Sequence, residues 1–198
     1  MASQAERRAT TVALILSQAR RLFTERGFEA TSIDDIAEGA GVAKGAVYHH
    51  FAAKEAVFER VLEDVQAEIA AAPVPAEALA PRDPAAQIAA ATLRYLSAAS
   101  EPAVRRILLI DGPTVIGWRR WREIDDRFFG AGARLAMKWL LGPDASDPEV
   151  DAMTHLMMGA VMEAALVCAT ADDPRQKAEE LSSALGRMLG GLAGDARR

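Results

Sequence analysis

The chain has 198 residues, 51% of them hydrophobic and 26% charged, with a formal net charge of −5 and one cysteine, Cys168. That length suits one large or two small globular domains, and a single cysteine excludes an internal disulfide framework and fits a reducing cytosol. MASQAERRATTVALILSQARR is too interrupted for a signal peptide, and no run of about 18 uninterrupted apolar residues exists, so a cytoplasmic protein without a membrane partner is expected.

No run of alternating β-branched residues occurs, and proline falls mainly in short stretches between long Ala/Leu-rich segments, so the fold class predicted is all-α. Residues 1–9 are polar and basic and are expected to fray. From about Thr10, Val12, Ile15, Leu16, Ala19, Leu22 and Phe23 recur at helical intervals until Gly27 ends the helix. The segment TSIDDIAEGAGVAKGAVYHHF (31–51) then holds two short periodic stretches. Ser32 is placed to cap the first, with Asp35 three residues on resembling a capping box. Gly39-Ala40-Gly41 interrupts it, because glycine supplies the left-handed backbone of a tight turn. The second stretch runs from Lys44 with Val47 and Phe51 on its core face. Two helices joined so tightly cross steeply, as a helix-turn-helix. Lys44, Gly45, Ala46, Tyr48, His49 and His50 are left as its exterior, small at the start and then aromatic and hydrogen-bonding.

A long amphipathic helix follows through Val57, Phe58, Val61, Leu62, Val65 and Ile69 to the alanines before Pro73. Residues 72–84, with four prolines, read as a loop. A helix is predicted to about Ala99, then another from Pro102 that kinks near Gly112-Pro113 and Gly117. Residues 118–141 are mostly helical, with Gly130 and Gly132 implying a loosened turn or close packing. Pro148 to about Thr170 is a helix with apolar residues on more than one face, and Pro174 to Leu192 is amphipathic before Gly190-Gly191 and the polar end release the chain.

A helix apolar on several sides needs cover on several sides. Either both faces are buried within one chain, or the last two helices pair with those of a second copy as a four-helix bundle. The homodimer is the expectation, with Leu156, Ala160, Ala164, Leu181, Leu185 and Met188 at its interface. Charge argues weakly. Residues 1–60 carry eight Lys/Arg and eight Asp/Glu, so the acidic excess lies beyond them. A neutral first part still suits a nucleic acid if its cations face one way, since phosphate contacts are local.

The order Phe23, Gly27, Ile36-Ala37, Gly41-Val42, Gly45, Tyr48, Phe51 and Lys54-Glu55 resembles the N-terminal domain of the TetR family of transcriptional regulators over about residues 10–65. DGPTVIGWRRWREID (111–125) is similar to effector domains of some members. The resemblance implies an N-terminal three-helix helix-turn-helix DNA-binding domain (1–53) and an α-helical ligand-binding and dimerisation domain (54–198), with 54–70 as the connecting helix. It implies a homodimer that reads a near-palindromic double-stranded DNA operator with recognition helices about 34–36 Å apart. Residues 44–50 would be the recognition helix. Lys44 opens it, and Gly45 and Ala46 allow close approach to base edges. Tyr48 and His50 would reach phosphates, and His49 a base. Thr31 and Ser32 would offer hydroxyl and N–H groups to a phosphate, and Lys54 another contact. Ala43 departs from the Ser or Thr of many relatives. Each role has a plain competitor: Tyr48 as packing, His49 as a solvated side chain, the histidine pair as a metal site lacking a third ligand.

The second domain is rich in adaptable apolar side chains, and an effector of unidentified structure would bind there. Trp118, Trp121, Arg122, Phe128, His155, Met158, Met162 and Glu163 are the candidate ligand residues, although His155 serves equally as a core or interface histidine. Arg119, Arg120, Arg122 and Arg127 read as a salt-bridged face or an anion site. No phosphate-binding glycine loop, metal-spaced Cys/His set or Ser-His-Asp arrangement is present. A cofactor-free, non-enzymatic, ligand-responsive repressor is therefore expected; an activator of the same fold and a protein-binding helical adaptor are the alternatives. Release would follow from tilting of the 54–70 helix.

Overall fold

Ser3 and Glu6 close a capping box, the Ser3 hydroxyl accepting from the Glu6 N–H and the Glu6 carboxylate from the Ser3 N–H. Two orphan donors are satisfied there, so the first helix, α1, runs Gln4–Arg26 rather than starting near Thr10. The computed structural model describes residues 3–72 and 83–195, with side chains described as far as Leu192. The predicted proline loop falls mostly at 73–82, outside the described residues. Every regular element among the described residues is helical: α1, α2 (Ile33–Ala40), α3 (Lys44–His50), α4 (Lys54–Ala71), α5 (Pro84–Ser100), α6 (Pro102–Arg105), a π-helical turn (Arg106–Asp111), α7 (Gly112–Ile116), α8 (Trp118–Leu141), α9 (Asp147–Thr170) and α10 (Pro174–Asp195).

The chain divides into two compact units. The first contains Met1–Ala67 and Pro102–Arg122, the second Glu68–Glu101 and Glu123–Arg198. Both α4 and α8 thus contribute residues to each unit.

In the first unit α1 packs on α2, and α2 on α3. Gly27 closes α1 at φ 82°, its N–H returning to the Phe23 carbonyl. Gly41, left-handed at φ 67°, closes α2 with its N–H on the carbonyls of Ala37 and Glu38. Ile15, Phe23, Ile36, Val47, Phe58 and Leu62 are fully enclosed. Phe58 meets Phe23 and Phe28 edge-on at centroid distances of 5.2 and 5.3 Å, the favourable geometry for aromatic quadrupoles. α6 and the π-helical turn belong to this unit and pack on α1. The Asp111 carboxylate accepts the Phe28 N–H at 3.0 Å, and Arg106 donates to the Arg26 carbonyl. The kink expected near Gly112-Pro113 is not there, since α7 runs through both residues; the helical line carries a π-helical turn just before them, a form that inserts one residue into a helical turn, and it stops at Gly117, φ 79°.

In the second unit α5 packs on α10 and α9, and α9 on α10. Ala85, Ile88, Met137, Leu140, Val150, Met157, Leu185 and Leu189 form its core. At Gly186 an added Cβ would lie 2.9 Å from the Cβ of Ala89, so glycine allows the closest approach of α10 to α5. Leu185, expected at a dimer face, is 7% exposed within the single chain because it points into this core. α8 is unbroken through Gly130 and Gly132, and α10 runs through Gly190-Gly191 to Asp195. By length and composition α9 is apolar enough to cross a membrane, and a third of that stretch is buried within the chain.

Candidate nucleic-acid interface and effector cavity

Ser32 caps α2: its hydroxyl accepts the Asp35 N–H at 3.1 Å, and the Asp35 carboxylate accepts from the Ser32 hydroxyl and N–H. These bonds stabilise the ionised form and hold the Asp35 carboxyl below its ordinary value. Thr31 behaves differently. It is 1% exposed, and its hydroxyl donates to the Gly27 carbonyl at 2.8 Å, so it ties the turn together and presents no hydroxyl outward. Lys54 is also a tie. Its ammonium donates to the carbonyls of Phe28 and Thr31, both at 2.8 Å, and lies 4.0 Å from the Phe28 ring centroid. Two of its three donors and a cation–π contact are directed into the unit.

Val47, fully buried, fixes the face that α3 turns to the core. The opposite face carries Lys44, Gly45, Tyr48 and His49, all exposed, with Tyr48 51% exposed. A Cβ at Gly45 would meet nothing within 4 Å, so the opening of α3 is bare on its outer side. Lys44 donates to Asp34 at 2.9 Å, which raises its pKa and spans α2 and α3. Ala43 occupies the N-cap of α3 without a side-chain hydrogen bond. His50 is half-buried beside His49, ring centroids 5.1 Å apart, and its Nδ1 is enclosed without a hydrogen-bond partner. Burial first, then the neighbouring His49 and Arg8, push its pKa down.

A cavity of about 370 Å³ lies within the second unit, inside the size range of small-molecule sites. Tyr95, Phe128, Phe129 and Trp139 supply aromatic walls, Met157, Met158 and Met162 the sulfur-bearing ones, and Gln87, Thr92, Arg94 and Asp125 the polar groups. Tyr95 meets Phe129 edge-on at 5.3 Å. Of the predicted ligand residues, the structure brings Phe128, Met158 and Met162 to this cavity. Trp121 lies in the first unit instead, fully buried, its indole N–H on the Leu108 carbonyl at 2.8 Å and its ring stacked on Trp118. Arg122 belongs to that unit as well. His155 is exposed with Nδ1 2.9 Å from the Asp151 carbonyl, and Glu163 is exposed. Neither helix phase nor composition shows which face of α9 meets a void, which is why both were expected there. Of the polar groups that were missed, Gln87, Thr92 and Arg94 carry a visible signal on α5, where Gln87, Ala91, Arg94 and Ile88, Thr92, Tyr95 are neighbouring stripes at i, i+4, i+7; Asp125, on α8, carries none. Arg120 is salt-bridged, 2.6 Å from Glu59 and 4.0 Å from Glu63.

Residues 15–61 match the family model described as bacterial regulatory proteins, tetR family, and residues 85–192 match the tetracyclin repressor-like C-terminal domain. The chain belongs to the TetR family of transcriptional regulators. Among TetR-family relatives, the HTH-type transcriptional repressor KstR2 of Mycobacterium tuberculosis is 48% identical over 48 residues, 24% of each chain. The chain therefore matches about a quarter of the length of that curated relative. A solved TetR-family regulator from Pectobacterium atrosepticum is 28% identical, with TM-score 0.70 over 96% of this chain and 97% of that one. RolR in complex with resorcinol has the same fold, at 24% identity and TM-score 0.71 over 98% and 94%. The three-helix head and helical second domain expected of a TetR-family member are both present.

Proposed function

We propose that the protein is a dimeric repressor that reads a near-palindromic operator through α3 and is released by a small, mostly apolar effector in the second unit. The observation that carries the reading is the outer face of α3. Val47 is the one fully buried residue of α3, and Lys44, Gly45, Tyr48 and His49 are exposed on its outer side, where they would enter a major groove, Lys44 exchanging its Asp34 partner for the duplex. Gly45 and the half-buried Ala46 let the backbone come close, Tyr48 and His50 serve phosphates, and His49 serves a base edge. Ser32, exposed at the start of α2, offers a further phosphate contact. Thr31 and Lys54 support that surface from beneath.

The dimer reading rests on α9 and α10. Leu156 is 69% and Met188 56% exposed, with Ala160 beside Leu156 on α9 and the half-buried Ala164 and Leu181 continuing the apolar surface. A second copy would bury this surface as a four-helix bundle without recruiting Leu185. The switch follows chain continuity. Ala70 on α4 lines the cavity, and α4 continues upstream to Lys54, which holds the carbonyls of Phe28 and Thr31. An effector preferring one setting of α4 shifts the population of recognition-helix spacings in a dimer.

A footprint on DNA flanking the protein's own gene tests the reading. Protection of a near-palindrome, with derepression of a reporter when the gene is deleted, is the expected outcome. Binding no stronger than to random DNA overturns it, and lost expression on deletion makes the protein an activator. Light scattering should give twice the 21.2 kDa chain mass.

A further inference from the structure

We infer, building on the operator-binding reading above, that Arg8 of α1 and His50 of α3 together receive one backbone phosphate of the duplex, Arg8 supplying the positive charge and His50 a hydrogen bond. The DNA surface then extends beyond the helix-turn-helix onto the first turns of α1. That helix is longer than its core contacts require: its buried residues begin at Ile15, yet the Ser3–Glu6 capping box starts it at Gln4. At about 100° per residue Arg8, Ile15 and Ala19 share one face, at i, i+7 and i+11, and Ile15 and Ala19 are fully buried on it. Arg8 therefore continues the inward face past the end of the core, where it is exposed and acts on His50. Arg7, one residue earlier, is turned away from that face.

Elsewhere in the first unit positive charge is already matched. Arg21, Lys44, Arg60 and Arg120 each have a carboxylate oxygen within 3.0 Å, and Lys54 holds two carbonyls. Among the described residues Arg8 makes no ion pair and no side-chain hydrogen bond, so it meets an anion without giving up a partner. His50 complements it. Its Nδ1 is enclosed without a hydrogen-bond partner, which leaves Nε2 as the accessible nitrogen. Burial first, then His49 on α3 and Arg8 on α1, lower its pKa, and among the described residues no carboxylate acts on it. On α2, Asp34 is engaged by Lys44 and Asp35 by Ser32, and Lys54 at the start of α4 is directed to Phe28 and Thr31. An imidazolium would carry its second proton on the enclosed Nδ1 with no acceptor. The ring is thus suited to donate through Nε2–H, and the guanidinium to match the phosphate charge.

Anisotropy titrations of the full-length protein decide the matter, using the footprinted operator and a random duplex of equal length between about 50 and 200 mM salt. Arg8→Gln should weaken both duplexes by the same factor. It should also make the fall of log K with log salt shallower by about 0.9 for each protomer bound, the counterions of one phosphate. Arg8→Lys should keep the wild-type slope, and so should Arg7→Gln, which removes an equal charge one residue away. His50→Ala should weaken binding at unchanged slope, and His50→Gln, which retains an N–H donor, should recover part of the loss. An unchanged slope in Arg8→Gln, or an equal change in Arg7→Gln, overturns the assignment to Arg8 and leaves the operator reading in place. A lowered melting temperature in Arg8→Gln makes the side chain a structural tie and also overturns it. A slope that falls in His50→Ala makes the histidine a second cation and overturns the division of roles. Operator and random duplex bound equally, with the Arg8 effect intact, sink the operator reading alone. If the wild type binds neither duplex, both fail.

Discussion

The two units bury apolar side chains by opposite means. The first is built on rigid aromatic contacts, Phe23, Phe28 and Phe58 meeting within 5.8 Å of one another, and its polar groups at the turn are tied by Thr31, Lys54 and Asp111. The second is lined by methionines and encloses a cavity of about 370 Å³. A surface that must match a duplex of fixed dimensions benefits from side chains with few rotatable bonds. One that receives a small molecule benefits from unbranched, polarisable chains that resettle around it. Rigidity and adaptability are thus assigned to different stretches of one chain.

The sharpest way to break this contrast is to truncate one side chain in each unit. Phe58→Ala should cost about 3–5 kcal/mol in urea unfolding, since its three-ring cluster cannot close over the gap, whereas Met158→Ala, beside an existing void, should cost about 2 kcal/mol. Equal losses would mean the second unit is packed as tightly as the first. Next in size is Lys54→Met. It leaves the Phe28 and Thr31 carbonyls without their charged donor and should lower stability by about 2 kcal/mol. If stability holds and only DNA binding weakens, Lys54 is a phosphate contact and the tie is incidental.

His49→Ala should weaken operator binding by roughly tenfold to a hundredfold, the equivalent of about 1–3 kcal/mol for a base contact. As an exposed surface change it should shift unfolding by no more than about 0.5 kcal/mol. Gel-shift titration and a thermal melt measure the two, and a destabilised variant would identify His49 as packing. The smallest effect concerns pH. The folded-state pKa of Asp35 lies below its ordinary 3.8 because Ser32 hydrogen-bonds the carboxylate. Its stabilising contribution is present above 3.8 and is lost as pH falls through the lower folded value. Melting temperatures of wild type and Asp35→Asn should therefore differ at pH 6 and converge towards pH 2; a constant gap would show that the capping box does not depend on the charge.

Much of the first unit is legible because its determinants are local. Ser32 with Asp35, Gly27 and Gly41 act within four residues of themselves, and the exposed face of α3 follows once Val47 is assigned to the core. The intramolecular ties of Thr31 and Lys54 are not legible for the opposite reason: what a hydroxyl or an ammonium binds depends on carbonyls brought near by folding. The π-helical turn at 106–111 escapes for the same cause, since nothing in RILLID differs from an ordinary helix until Asp111 is required at the Phe28 amide. In the second unit periodicity finds α5, α8, α9 and α10 but not their rotation. Trp121, His155 and Glu163 were therefore expected at a cavity that Arg94, Tyr95 and Asp125 line instead, and Leu185 turned out to point inward.

The cavity also has a mechanical consequence. Space enclosed by a folded chain disappears when that chain unfolds, so the second unit lowers the volume of the unfolded state relative to the folded one, and compression favours the smaller state. Hydrostatic pressure therefore acts on this molecule unevenly, bearing on the methionine-lined half and sparing the close-packed aromatic half. A ligand that fills the space removes the compressible part and stiffens the second unit against pressure.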